Sequence, residues 1–191
     1  MVLKQNLRKP LNFLAAAIAV AVSVAGCASG PAPAVPAVAC ELVSGSELWK
    51  YGPNAVVNPF VPLTGTVRGT QDEFVVLRIR LSLAESTTVE IDGLVEDPTG
   101  KELARLQTFG QMTRYWSGQA ESLPFRDKQV RSDILTRYYP PDLHFVARKG
   151  RAEYIVLFSG KNPLSRPAVI SLSVTLNGEP EQFTFALPDR K

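Results

Sequence analysis

Between Phe74 and Leu83, side chains alternate with a period of two. Val75, Leu77, Ile79, Leu81 and Leu83 share one face, and Phe74, Val76, Arg78, Arg80 and Ser82 share the other. Successive residues of a strand point to opposite sides, so this run commits the chain to a sheet with one buried face. The second face starts apolar and turns polar along the strand. Thr87–Val95 repeats the pattern, with Thr87, Val89, Ile91 and Val95 against Thr88, Glu90 and Asp92. Joined as a hairpin through Ala84-Glu85-Ser86, the two strands would set Leu83 opposite Thr87, Leu81 opposite Val89 and Ile79 opposite Ile91. The same register pairs Arg80 with Glu90 and Arg78 with Asp92. Those ion pairs would face solvent and be worth only about 0–1 kcal/mol each, which marks an outer face and not an active site.

Further along, Asp97-Pro98-Thr99-Gly100 is a turn: Pro98 fixes φ and Gly100 tolerates the left-handed region. It leads into a third strand near Leu103–Phe109, and an earlier candidate strand lies near Leu63–Arg68. Gln111–Leu123, with Tyr115, Trp116 and glycine breaks at Gly118 and at Gly110 just before it, reads as a long loop or irregular strand. Val130, Ile134, Leu135 and Tyr138 share a helical face, predicting a short helix over Asp127–Tyr139, capped by Ser122 or Asp127 and ended by Pro140-Pro141. Strands resume at Leu143–Arg148, Ala152–Phe158, Ala168–Leu176 and Glu181–Leu187. A two-residue turn at Asn177-Gly178 would oppose Val174 to Glu181. A four-residue loop through Pro180 instead pairs Val174 with Phe183, Leu172 with Phe185 and Ile170 with Leu187, and is preferred on pattern. The expected fold class is mainly β: an antiparallel β-sandwich of about 7–8 strands with one short helix, spanning 41–191. Periodicity alone does not separate it from a barrel closed on itself.

The N-terminal segment has a different character. A basic stretch with Lys4, Arg8 and Lys9 precedes the apolar and small residues of Leu11–Val24. About 21 Å of helix falls short of a roughly 30 Å hydrocarbon core, and the flanks are those of a cleavable export signal. Val24-Ala25-Gly26-Cys27 resembles the lipobox of bacterial lipoproteins. The resemblance covers only Met1 to about Ser29. It implies a signal peptide at 1–26, cleavage after Gly26, and acylation of Cys27 by fatty chains such as palmitate. Ala28 and Ser29 resemble an outer-membrane sorting signal, so the implied location is the outer membrane, lipid-anchored and facing the periplasm. Residues 27–40 form a Pro/Ala-rich tether able to span some 35 Å. With Cys27 lipidated, Cys40 has no partner within the chain.

Charge follows the same division. The 191 residues carry 21 basic and 18 acidic side chains, but removal of the signal leaves 18 against 18. That balance excludes a strongly basic domain, and no nucleic-acid partner is expected. One local excess remains, a net +4 over residues 126–151. The candidate interaction surface is therefore Arg126, Lys128, Arg131, Arg137, Tyr138, Tyr139, Arg148, Lys149 and Arg151, suited to an acidic protein, an anionic lipid or a glycan.

Catalytic motifs are not found. The single histidine, His144, stands without His-x-x-x-His, paired cysteines or a calcium-loop spacing, so no metal and no cofactor are expected. Ser159-Gly160 lacks the Gly-x-Ser-x-Gly elbow. The leading expectation is a non-enzymatic outer-membrane lipoprotein, an accessory or assembly factor for an envelope complex such as a secretion, pilus or transport apparatus. The alternative is a polysaccharide- or peptidoglycan-binding module using Trp49, Tyr51, Tyr115 and Trp116 as stacking platforms. An envelope hydrolase is the third.

Overall fold

The computed structural model describes residues 37–43, 45–62, 73–119, 121, 123–160 and 164–188. The expectations for the signal peptide, for Cys27 and for a strand at Leu63–Arg68 lie outside those residues. Among these residues eight strands form one sheet: β1 (Val38–Leu42), β2 (Glu73–Leu83), β3 (Thr87–Glu96), β4 (Glu102–Leu106), β5 (His144–Ala147), β6 (Gly150–Gly160), β7 (Ala168–Leu176) and β8 (Glu179–Leu187). Three α-helices accompany them: a single turn, α1 (Gly45–Leu48), and two longer ones, α2 (Phe109–Gln119) and α3 (Phe125–Tyr138).

The sandwich expectation is overturned. Every pairing is antiparallel and the order is continuous, β1-β2-β6-β4-β3-β7-β8 with β5 beside β3. The two ends of the sheet approach each other, close enough for Glu181 of β8 to act electrostatically on Cys40 of β1. The result is a nearly closed barrel. Alternate residues converge on a single interior, led by Leu77, Ile79, Ile91, Phe158, Ile170 and Leu172, all fully buried. Side chains fill this small barrel, as they do in others of similar strand number. Gly93 is part of the fit: a Cβ there would lie 3.1 Å from the Phe158 ring and 2.7 Å from the Ser171 carbonyl oxygen.

The expected registers are corrected in two places. β2 and β3 follow one another without pairing. β2 lies between β1 and β6, while β3 lies between β7 on one side and β4 and β5 on the other. The carboxylates that reach the β2 arginines therefore come from the flanking strands. Arg80 pairs with Glu41 at 2.9 Å and Glu153 at 3.4 Å, not with Glu90. At the β7–β8 hairpin the two-residue turn wins, with Val174 opposite Glu181 and Leu172 opposite Phe183. Asn177 (φ 49°) and Gly178 (φ 92°) both take left-handed conformations, as a hairpin turn that matches strand twist requires. The charge at Glu181 is tolerated because β8 ends the sheet and Glu181 is exposed there.

Two further expectations change. β1 begins at Val38, so Val38, Ala39 and Cys40 of the expected tether pair with Leu81, Arg80 and Ile79. Gln111–Leu123 is mostly helix rather than loop. Thr108 and Gln111 form a reciprocal capping box: the Gln111 N–H donates to Thr108 Oγ1 (3.1 Å), and the Thr108 N–H donates to Gln111 Oε1 (2.7 Å). From there Met112, Tyr115 and Trp116 fall on one face at helical spacing, and Met112 and Trp116 are buried.

Those helices explain why β2 has two buried faces. Val76 of β2 and Ile155 and Leu157 of β6 point outward, into a second core made with Tyr51, Phe60, Met112, Trp116, Leu135 and Tyr139. Burying such a side chain contributes roughly 1.5–3 kcal/mol, so the layer is held firmly to the barrel. The Tyr139 hydroxyl, at the end of α3, also donates to the Gln107 carbonyl at 2.5 Å.

Candidate functional site: the cleft between two surface helices

With the barrel interior filled, the space for a ligand lies on its outside. A cleft of about 390 Å³ opens between α2 and α3, lined among others by Thr113, Trp116, Ser117, Phe125, Gln129 and Arg131. α2 supplies Thr113, Trp116 and Ser117 from one wall, and α3 supplies Phe125, Lys128, Gln129, Arg131, Ser132 and Leu135 from the other. α3 starts on Pro124, with no side-chain cap from Asp127; Ser122 lies outside the described residues. This start leaves Phe125 at the first helical position, 82% exposed, a large apolar ring in water.

The opposite wall is fixed by the packed aromatic layer. Trp116 donates its indole N–H to the Pro59 carbonyl at 3.1 Å and meets Phe74 and Tyr115 edge to face. The loop carrying Pro59 is pinned by two asparagines. Asn54 Oδ1 accepts from the N–H groups of Val56 and Val57, and fully buried Asn58 bonds the backbone at Leu48, Gly52 and Phe60. The loop then presents the Ala55 and Val56 carbonyls to Arg131 Nη2.

Arg131 is only 2% exposed, although it sits on a surface helix. Its guanidinium carbon lies 3.8 Å from the centre of the Trp116 ring, a close cation–π contact. No carboxylate forms an ion pair with it among the described residues; the Tyr115 hydroxyl and, less strongly, Asp127 act on it through space. Burial pushes its pKa down to about 10, so the group remains a cation at neutral pH.

The polar lining is mixed. Thr113 and Ser117 donate their hydroxyl protons to helix carbonyls, those of Phe109 and Thr113, and so offer oxygen lone pairs to the cleft. Lys128 donates to the Glu121 carbonyl at 2.9 Å, and Gln129 donates to Asp133 at 2.8 Å. Acceptors on one wall and cationic donors on the other suit a ligand rich in hydroxyls.

The expected interaction surface is divided by the fold. Arg126 and Arg137 are exposed on α3, and Arg148, Lys149 and Arg151 are exposed around the β5–β6 turn. Lys128 and Tyr138 are half-buried, while Arg131 and Tyr139 are buried. Of the expected stacking residues, Trp49 is exposed at 47%, Tyr115 is half-buried, and Tyr51 and Trp116 are packed inside. Phe125 and the cleft itself were missed. The signals that could have found them are the capping box at Thr108–Gln111 and a proline placed directly before a phenylalanine-led helix.

Tyr51 takes part in a separate buried network. Arg78, 5% exposed, donates to the Tyr51 hydroxyl at 3.0 Å and to Glu41, with Glu47 and Glu153 each at 3.7 Å. Burial alone would lower the Arg78 pKa, but the Tyr51 hydrogen bond and the carboxylates outweigh it and raise it. The network is fully partnered and joins β1, β2, β6 and α1. His144 is exposed in register with Glu90, and no group of three metal-ligating side chains occurs among the described residues.

Comparison with protein-family models, curated proteins and solved structures found no match for this chain.

Proposed function

We propose that the domain is a non-catalytic ligand-binding module that holds a polysaccharide or peptidoglycan fragment in the α2–α3 cleft. The observation behind this reading is the cleft lining: an exposed Phe125 ring beside Trp116 and Leu135, bordered by hydroxyls, an amide and cations. A sugar ring offers an apolar C–H face to an aromatic side chain and hydroxyls that both donate and accept, which is the complement of this lining. Cosedimentation with insoluble peptidoglycan and with purified envelope polysaccharide tests it. The expected result is retention on one of them, weakened about tenfold or more by Phe125→Ala. Binding indifferent to Phe125→Ala, or retention on neither, refutes the cleft as a glycan site.

The lipobox-like Val24-Ala25-Gly26-Cys27 favours a second, compatible reading: an outer-membrane lipoprotein that serves an envelope complex as an accessory factor. Five exposed cations, Arg126, Arg137, Arg148, Lys149 and Arg151, are available for an acidic partner protein or anionic lipid. Here Cys27→Ser is expected to abolish lipid labelling and leave an unprocessed precursor. In-cell crosslinking through Arg148 and Arg151 is expected to recover an envelope protein. Normal labelling of the Cys27 variant rejects the anchor, and crosslinking that recovers no protein rejects the accessory role.

A further inference from the structure

We infer that Arg131 is the recognition group for a carboxylate on the ligand held in the α2–α3 cleft. The inference rests on the cleft being a binding site, as proposed above, and adds the charge of what it binds.

A guanidinium has five N–H bonds. In Arg131 the Nη2 group is satisfied by the carbonyls of Ala55 and Val56. Nε and Nη1 are buried and have no hydrogen-bond partner among the described residues, which leaves three N–H bonds without an acceptor. Buried donors in native proteins are nearly always paired, and an unpaired one on a charged group is the costliest kind. Among the described residues the cation also has no carboxylate in contact with it. Arg78 provides the internal comparison: it is equally buried, yet it has Glu41, Glu47 and Glu153 within ion-pair distance. Among the described residues, one buried arginine has carboxylates within ion-pair distance and the other has none.

The surroundings of Arg131 indicate where the missing acceptor would sit. The guanidinium carbon lies 3.8 Å from the centre of the Trp116 ring, and the loop carbonyls hold the Nη2 end. Arg131 also lines the cleft, which opens to solvent and has Lys128 as a second cation at its wall. A carboxylate entering there would approach two positive charges, and the buried Nε and Nη1 groups would have to turn toward it to form charge-assisted hydrogen bonds, which are strong in such a setting. Phe125, Trp116 and Leu135 would cover the apolar part of the same molecule. The chemical class is a carboxylate-bearing sugar or muropeptide, bound without chemistry.

Two measurements test this. In the first, the Arg131 Nε–H signal of the purified protein is followed by NMR during titration with sodium acetate, against sodium chloride at equal ionic strength. Acetate is expected to shift it saturably and chloride is not; equal responses overturn the inference whatever the cleft's natural ligand. In the second, muropeptides released by a muramidase are compared before and after methyl esterification of their carboxylates. The native form is expected to bind at least about tenfold more tightly, with the difference lost in Arg131→Met and partly retained in Arg131→Lys. Equal binding of both forms overturns the carboxylate role and leaves the glycan cleft standing. If neither form binds but acetate still shifts the Nε–H, the glycan reading fails and the carboxylate site stands. If Arg131→Met does not fold, the esterified ligand on the unaltered protein decides the question.

Discussion

Replacing Gly93 with alanine tests whether β3 and β7 close tightly around Phe158. The added Cβ would stand 2.7 Å from the Ser171 carbonyl oxygen and 3.1 Å from Phe158 Cε1 and Cζ. Neither neighbour can withdraw freely. Ser171 belongs to the β3–β7 ladder, and Phe158 is fully buried in the barrel interior. Forcing a methyl group into a filled core typically costs about 1–3 kcal/mol. For a domain of this size each kcal/mol moves the melting temperature by roughly 2–4 °C, so Gly93→Ala should lower Tm by about 2–12 °C. Gly118→Ala is the control: it adds the same methyl in α2 with no heavy atom within 4 Å, and should raise stability by up to about 1 kcal/mol. Combining Gly93→Ala with Phe158→Leu should recover part of the loss beyond additivity, because the two sites touch. Thermal unfolding followed by circular dichroism reads all three. A Gly93→Ala protein melting within about 1 °C of the parent would refute the packing argument.

Other consequences can be checked in the same way. Burial pushes the Cys40 thiol up from 9.0 to about 12, with the Glu181 carboxylate adding to the effect. In a Cys27→Ser background, iodoacetamide at pH 8 should therefore label Cys40 at least a hundredfold more slowly in the folded protein than in urea, because thiolate is the reactive form. Since the folded pKa is the higher one, the contribution of Cys40 to stability is complete below pH 9 and is lost as pH rises toward 12. Equal labelling rates in the two states would contradict its burial. Tyr139→Phe removes the donor to the Gln107 carbonyl and should cost about 1–2 kcal/mol, read as a lower urea midpoint. An unchanged midpoint would mean that this bond does not help hold α3 to the barrel.

Strand positions were legible from residue type, while partners were not. Ala168–Leu176 stands where its alternation places it, and Asp97 forms its turn by accepting from the N–H groups of Thr99 and Lys101. Pairing is a different problem. Arg78 and Arg80 announce that carboxylates lie opposite, but Glu90 and Asp92 satisfy that rule as well as Glu41 and Glu153 do. Only the strand order of the folded sheet decides between them. The Asn177-Gly178 turn was legible too, and was set aside because Glu181 then faced the interior side. That objection holds for a central strand and fails at the end of a sheet. The α2–α3 cleft was hidden by Gly110 and Gly118, which weaken a helical pattern without preventing the helix that Thr108 starts. Arg131 carried no sequence mark at all: among the seven basic residues of 126–151, only the Trp116 ring and the loop carbonyls single it out.

The two ends of the sheet, β1 and β8, are also the first and last of the described strands in chain order. A chain synthesised from its N-terminal side therefore has one wall of the gap once β1 is made and gains the other only with β8. Until Glu179–Leu187 arrives, β7 has an open edge, and Ile170, Leu172 and Val174 lack the strand that covers them. Closure is the latest and longest-range contact the domain can make, and such contacts are slow to form. An incomplete chain is thus kept from closing prematurely, and a protein truncated by a dozen residues would lose its barrel while keeping nearly all of its strands.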